Sequence, residues 1–221
     1  MQIEGFRRFF HEIMPRLDGE QRRIALSIYR SIAKHGQAPL ETLAKQTGLN
    51  IAAIGNVVST WPAVYRDAKG DVVGFWGLTA QPVSKHMLHL GEQTRYAWCA
   101  WDCLFIPALL DRTVRVSSIC PQTGESIELT VSPTAVESVR PQSAVLSLLV
   151  PDVESSSRDV ISTFCYFVYF FKDRAAGEQW TAAHPGTQIV TMDQGMELAR
   201  AKNEWQYGAI ERVRGEVRSE I

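Results

Sequence analysis

Apolar residues keep a helical rhythm through the first sixty residues of this 221-residue chain and then lose it. Glu20 to His35 carries Ile24, Leu26, Ile28 and Ile32 at helical spacing, and Gly36 marks a stop. Pro39 to Leu49 fits a shorter helix, since proline is tolerated in a first turn and Gly48 can close the last one. A third helix is predicted over Asn50 to Thr60, with Asn50 as its cap. From Val64 onward short β-rich runs take over. Val64–Asp67 and Val72–Leu78 flank the turn Ala68-Lys69-Gly70-Asp71, a hairpin signal. Three helices followed by a hairpin predict a winged-helix-like N-terminal domain over residues 1–90. Residues 91–221 mix the two element types. Thr113–Ser118 and Ser126–Val131 make a hairpin around ICPQTGE, and Ala144–Val150 and Thr163–Phe171 are further strand candidates. Gly177–Ala183 is predicted helical, Gln188–Met192 extended and Gln194–Arg214 a closing helix, with a polar loop at Pro151–Asp159. Helices first and strands later predict an α+β protein: a three-helix bundle with its hairpin, then a mixed α/β domain.

Size and charge narrow the function. A chain of this length buries roughly 70% of its unfolded surface and needs no staples. The net charge of -1 gives no general pull toward nucleic acid or anionic membrane. In a DNA-binding winged helix the third helix reads the groove, yet NIAAIGNVVST holds no Lys or Arg to meet phosphate, and Gly55 loosens it. The N-terminal domain is therefore expected to be a scaffold, without a nucleic-acid partner. Apolar runs are broken by Pro107, Pro151 or charges before they reach membrane-spanning length, and MQIEGFRRFF lacks a secretory signal's apolar centre. A cytoplasmic protein with no membrane partner is expected. There, Cys99, Cys103, Cys120 and Cys165 should be free thiols. Each one alone is equally well explained as a small buried hydrophobe.

The densest chemistry lies in RYAWCAWDCLFIP, Arg95 to Pro107. If this is helical from about Ala97, Cys99 and Asp102 stand at i, i+3, and Cys103 at i+4 from Cys99. Pro107 must kink or end such a helix. Neither a carboxylate neighbour nor burial favours a thiolate. A carboxyl placed there can instead accept a thiol's proton and deliver it elsewhere. That suits a soft electrophile captured by sulfur with a proton to be handed on, although a core cysteine beside a capping aspartate also accounts for the segment. Four cysteines equal the number in an all-thiolate zinc site, the alternative of a zinc-binding structural or regulatory module. The Cys120 loop has Thr123 where a knuckle needs a second cysteine, which weighs against it. His86 and His89 lie i, i+3 with no acidic residue close by, which favours a packed or solvated role.

A longer pattern surrounds these residues. YAWCAWDCLFIPALLDRTVRVSS (residues 96–118), CPQTG from Cys120, ELTVSP from Glu128, Thr163-Phe164-Cys165 and Tyr169-Phe170-Phe171 occur in that order, with Trp180 in the helix that follows. This series resembles the alkylmercury lyase (organomercurial lyase, MerB) family, strongly over residues 95–171 and more loosely over 39–195. The resemblance implies a catalytic MerB-type domain over 91–221, with the winged-helix-like part packed against it and not reading DNA. It implies that Cys99 and Cys165 are the mercury-binding thiols, that Asp102 is the proton shuttle at the metal, and that Cys120 is structural. The implied reaction is protonolytic cleavage of R–Hg–X to the hydrocarbon R–H and Hg(II). No cofactor is implied; small cellular thiols support turnover and a mercuric reductase takes the Hg(II). Cys103 departs from the family, which usually has a non-thiol residue there, and is a candidate extra ligand. Tyr166 departs too, since some members carry a second cysteine after the catalytic one. Some members have Ser at the aspartate position, so Asp102 matches the common form. Trp98, Trp101, Phe164 and Tyr166 are candidates for an apolar substrate pocket or for plain core.

Overall fold

The computed structural model describes residues 3–149 and 159–208. An amphipathic helix that the periodicity argument passed over, α1 (Ile3–Ile13), buries Phe6, Phe9 and Phe10. Helix α2 (Gly19–His35) starts from a capping box between Asp18 and Gln21, buries Ile24, Ile28, Tyr29 and Ile32, and ends at Gly36. Helices α3 (Leu40–Thr47) and α4 (Ile51–Thr60) follow as expected, with the Asn50 side chain accepting from the Ala52 N–H at 2.8 Å.

Eight antiparallel strands make one sheet: β1 (Val64–Arg66), β2 (Val72–Phe75), β3 (Leu78–Thr79), β4 (Met87–Leu90), β5 (Gln93–Ala97), β6 (Val114–Ile119), β7 (Ser126–Val131) and β8 (Val136–Arg140). Their spatial order is β1-β2-β3-β5-β4-β6-β7-β8. Strands from both sides of residue 90 share this sheet, for Leu88 of β4 faces Val116 of β6. The hairpins predicted over 64–78 and 113–131 are present, except that the strand expected over Val72–Leu78 ends at Phe75 and Leu78 opens β3 beyond a turn; the β4–β5 hairpin was not foreseen. Buried Arg95 ties the sheet to the helices, its Nε donating to the Ile32 carbonyl at 2.7 Å at the end of α2. A second sheet, in the order β10-β9-β11, pairs β9 (Val145–Leu149) with β10 (Phe170–Phe171) and β11 (Thr187–Val190). Around it lie α6 (Val160–Thr163), α7 (Arg174–Ala182) and α8 (Met192–Tyr207), with a 3-10 turn at Cys165–Phe167. One apolar core runs through all of these layers. No helix among the described residues is long and apolar enough to cross a membrane.

Three local expectations are corrected. The helix expected from Ala97 is β5 up to that residue, then a turn, and only then α5 (Asp102–Leu109). Pro107 sits inside α5, which ends two residues later at Leu109. Thr163–Phe171 is not one strand. The Asp159 side chain accepts from the Ile161 and Ser162 N–H groups and starts α6, so the chain turns through Cys165 before its two-residue strand. Val190 closes β11, and Thr191 then caps α8, so Met192 is helical and not extended. Helix α8 reaches Tyr207; the rest of the closing helix and most of the loop expected at 151–159 lie outside the described residues.

Candidate active site

Asp102 opens α5 and turns its carboxyl back onto the preceding loop, where Oδ2 accepts from the Cys99 N–H at 2.9 Å. Cys99 is therefore held by a turn and not by a helix face. Two contacts fix that turn in the fold: Trp98 N–H donates to the Gly77 carbonyl (2.9 Å) and Ala100 N–H to the Val168 carbonyl (3.1 Å). The second bond joins the loop to the segment carrying Cys165. As a result the Cys99 sulfur, an Asp102 oxygen and the Cys165 sulfur all lie within 4.8 Å of one another, although Cys165 stands far along the chain.

The three groups are buried, Cys99 fully and the other two at 5% exposure. Burial pushes the Asp102 pKa up to about 7, against the pull of the Cys99 N–H and thiol and of Lys202. The Cys99 thiol is raised well above its ordinary value by burial, by its hydrogen bond with Cys165 and by the Asp102 charge. Cys165 is drawn down by its bond with Cys99, but burial and Asp102 outweigh this and leave it raised. Without an incoming cation, both sulfurs rest as thiols.

Two residues that the sequence reading passed over shape the site. Trp76 and Gly77 form the two-residue turn between β2 and β3, both with positive φ (36° and 98°), as a type I′ turn requires. A β-carbon at Gly77 would lie 2.6 Å from Asp102 Cγ. Only glycine lets that backbone pass under the carboxyl. The signal was the F-W-G-L string between two β-rich runs. Lys202 is the second. It stands on the buried stripe of α8, 4% exposed, with Nζ 3.8 Å from the Phe105 ring centre and 3.3 Å from Asn203 Oδ1. Burial lowers its pKa to about 7, with the Asp102 charge opposing. A lysine in line with Leu198 and Ala199 was the legible clue.

The remaining candidates separate cleanly. Cys103 is fully buried, but its Sγ reaches only the Cys99 carbonyl, at 3.9 Å, and it does not join the three-residue group. Cys120 is buried in the β6–β7 turn, where its backbone pairs with Glu125 and Gly124. Hence the four cysteines, all free, build no common thiolate site. His86 Nδ1 pairs with Ser118 Oγ (2.8 Å) and His89 Nε2 with Ser117 Oγ (2.7 Å), so both histidines serve the β4–β6 contact. Trp98, Trp101 and Phe164 line a cavity that Asp102, Cys165 and Lys202 also line. Tyr166 does not; it is 64% exposed.

Comparison with known proteins agrees with this geometry. The family model described as alkylmercury lyase matches residues 78–203. A Staphylococcus epidermidis alkylmercury lyase is 38% identical over 173 residues, which is 78% of each chain. A Bacillus cereus alkylmercury lyase is 36% identical over 198 residues, covering 86% of this chain and 88% of its own. Among solved structures, the mercury-bound form of MerB2 superposes with a TM-score of 0.73 at 25% identity, over 92% of this chain and 99% of that one. By the family model, by its relatives and by a buried cluster of two thiols and one carboxyl, the chain belongs to the alkylmercury lyase family.

Proposed function

We propose that Cys99, Cys165 and Asp102 together cleave the carbon–mercury bond. The observation that carries this reading is the buried meeting of two sulfurs and one carboxyl within 4.8 Å. Mercury is soft and selects sulfur over oxygen and nitrogen donors. One thiol of the pair takes the metal of R–Hg–X; X leaves, and the thiol proton leaves with it. The second thiol gives its proton to the Asp102 carboxylate and adds its sulfur to mercury. Extra electron density on the metal makes the bound carbon more carbanionic. Asp102, now protonated, hands that proton to the carbon. The products balance as R–H, HX and Hg(II) held between the two sulfurs. An Asp102 pKa near 7 suits this double duty, because a group titrating near the working pH both takes and gives a proton.

No cofactor enters this scheme. Small cellular thiols, and then a mercuric reductase, are the acceptors we propose for the clamped Hg(II), since two-coordinate mercury moves by exchange between sulfurs. Free cysteines suit a reducing cytoplasm. Residues 1–90 serve as a winged-helix-like scaffold for the catalytic residues 91–221: Tyr29 of α2 and the Pro62–Ala63 segment after α4 brace the Trp76–Gly77 turn, and α4 has no cation for phosphate.

The test is headspace detection of hydrocarbon from an organomercury salt with excess small thiol. Cys99→Ser and Cys165→Ser should each lose turnover, while Cys103→Ser should keep most of it. A full rate in either of the first two variants removes that thiol from the mechanism.

A further inference from the structure

In the cleavage scheme, which this inference rests on, the organic group R must lie beside Asp102 and Cys165. The cavity that both residues line is the space available for it, and its volume is ≈ 40 Å³. For scale, an apolar protein cavity of about 150 Å³ accepts a benzene ring. A methyl or ethyl group therefore fits the site as it stands, whereas a phenyl ring needs one wall to give way.

The walls differ in how far they can yield. Trp101 and Phe164 are locked in the core, and the Trp101 indole N–H donates to the Gly195 carbonyl at 3.0 Å. The Trp76–Gly77 wall is braced as well. Trp76 Nε1 donates to the Pro62 carbonyl and its own carbonyl accepts from the Tyr29 hydroxyl, both at 2.8 Å. The fourth side is α1 and the residue after it. There Phe10 packs against Trp101 with the rings tilted and their centres 4.6 Å apart, while Ile13 and Met14 line the cavity from half-buried positions. These last two side chains are in contact with substrate space on one side and solvent on the other. They pack against the edge of the core and not in its interior.

We propose that this α1 wall, Phe10, Ile13 and Met14, sets the size of the organic group: short alkylmercury compounds fit the resting pocket, and arylmercury compounds are admitted only as the wall moves aside. Specificity for R is thus built by a helix that contributes no reacting atom. Trimming Ile13 or Met14 should open room for the ring and leave the methyl group's contacts with Asp102 and Cys165 intact.

The experiment compares kcat/KM for methylmercury and phenylmercury chloride with excess small thiol, reading methane and benzene by headspace gas chromatography. Using the phenyl-to-methyl ratio within each protein, and comparing it between proteins, cancels the intrinsic reactivity difference between the two bonds. One methylene of pocket fit is worth roughly 10-fold or more in discrimination. Ile13→Ala and Met14→Ala should therefore raise the ratio by about 10-fold, and Ile13→Phe should lower it. Thermal unfolding confirms that each variant is folded, and Ile13→Val takes the place of any that is not, with a smaller rise in the same direction. Ratios within about 2-fold of the parent in the folded trimmed variants overturn the assignment of this wall. Absence of both hydrocarbons with the parent protein is a different result: it overturns the cleavage reading, and the inference falls with it.

Discussion

Replacing Gly77 by alanine should disable the site far more than it destabilises the fold. The new β-carbon would lie 2.6 Å from Asp102 Cγ and 2.8 Å from Oδ1, where ordinary contacts begin at 3.4 Å. The carboxyl must retreat by about 0.8 Å to clear it, the difference between those two contact distances. Its 2.9 Å bond from the Cys99 N–H would then stretch past hydrogen-bonding range. Misplacing a reacting group by about 1 Å costs on the order of 10²-fold in rate. The stability loss has a separate origin. Gly77 has φ +98°, and a side chain there costs about 1–3 kcal/mol, or roughly 2–12 °C in Tm for a chain of this size. Gly91→Ala is the matched control: φ is +71°, and nothing lies within 4 Å of the added carbon. Both variants should stay folded, with Gly77→Ala losing somewhat more stability because it also strains the buried Asp102 bond, but only Gly77→Ala should lose hydrocarbon release. A folded Gly77→Ala protein within about 3-fold of the parent rate would refute the claim that this turn positions Asp102.

Two further predictions concern the buried charges. Asp102 has a folded pKa of about 7 against an ordinary value of 3.8, so between those pH values the folded state keeps a proton that the unfolded chain has lost. Its contribution to stability is thus greatest at low pH and is lost as pH rises toward 7, by about 2 kcal/mol between pH 5 and 7. Asp102→Asn should remove that slope, as read from urea midpoints at the two pH values; equal slopes would show that the carboxyl is not held protonated. Lys202→Met removes the positive charge that opposes burial at Asp102. The rising limb of the pH–kcat/KM profile should then move to higher pH while stability holds or improves, because an apolar side chain of similar length suits that site. An unmoved limb would mean that Lys202 does not act on Asp102.

What the sequence disclosed, and what it hid, divide along a physical line. Cys99, Asp102 and Cys165 were legible because their residue types are the chemistry and a long ordered series of motifs surrounds them. Their local geometry was misjudged. Spacing put Cys99 and Asp102 on one helix face, but the carboxyl binds the Cys99 N–H and holds that residue outside the helix. Periodicity sees side chains and is blind to a side chain that competes for backbone donors. The aromatic run around Cys165 looked like a strand on propensity alone, while Asp159 had already started a helix just before it. The Gly77 turn and the α1 wall were hidden for another reason: each acts through what it touches across the fold, and no local pattern announces such a partner.

Burial explains why this site can be both inert and selective. A metal ion binds sulfur as thiolate and must displace its proton, and here burial and the Asp102 charge hold both sulfurs protonated, more strongly at Cys99 than at Cys165. Charge can leave the site only as charge arrives. An R–Hg cation brings one positive charge and replaces one thiol proton, so the first capture leaves the net charge of the cavity unchanged. The second sulfur can ionise by passing its proton to Asp102, whose carboxylate oxygen lies within 4.8 Å of it. Lys202, itself lowered toward neutrality by the same burial, steadies the carboxylate without supplying a competing sulfur or oxygen. Burial of the acid is thus part of the chemistry: it brings the Asp102 pKa up to about 7, so that one carboxyl can both take the thiol proton and return it to the carbon.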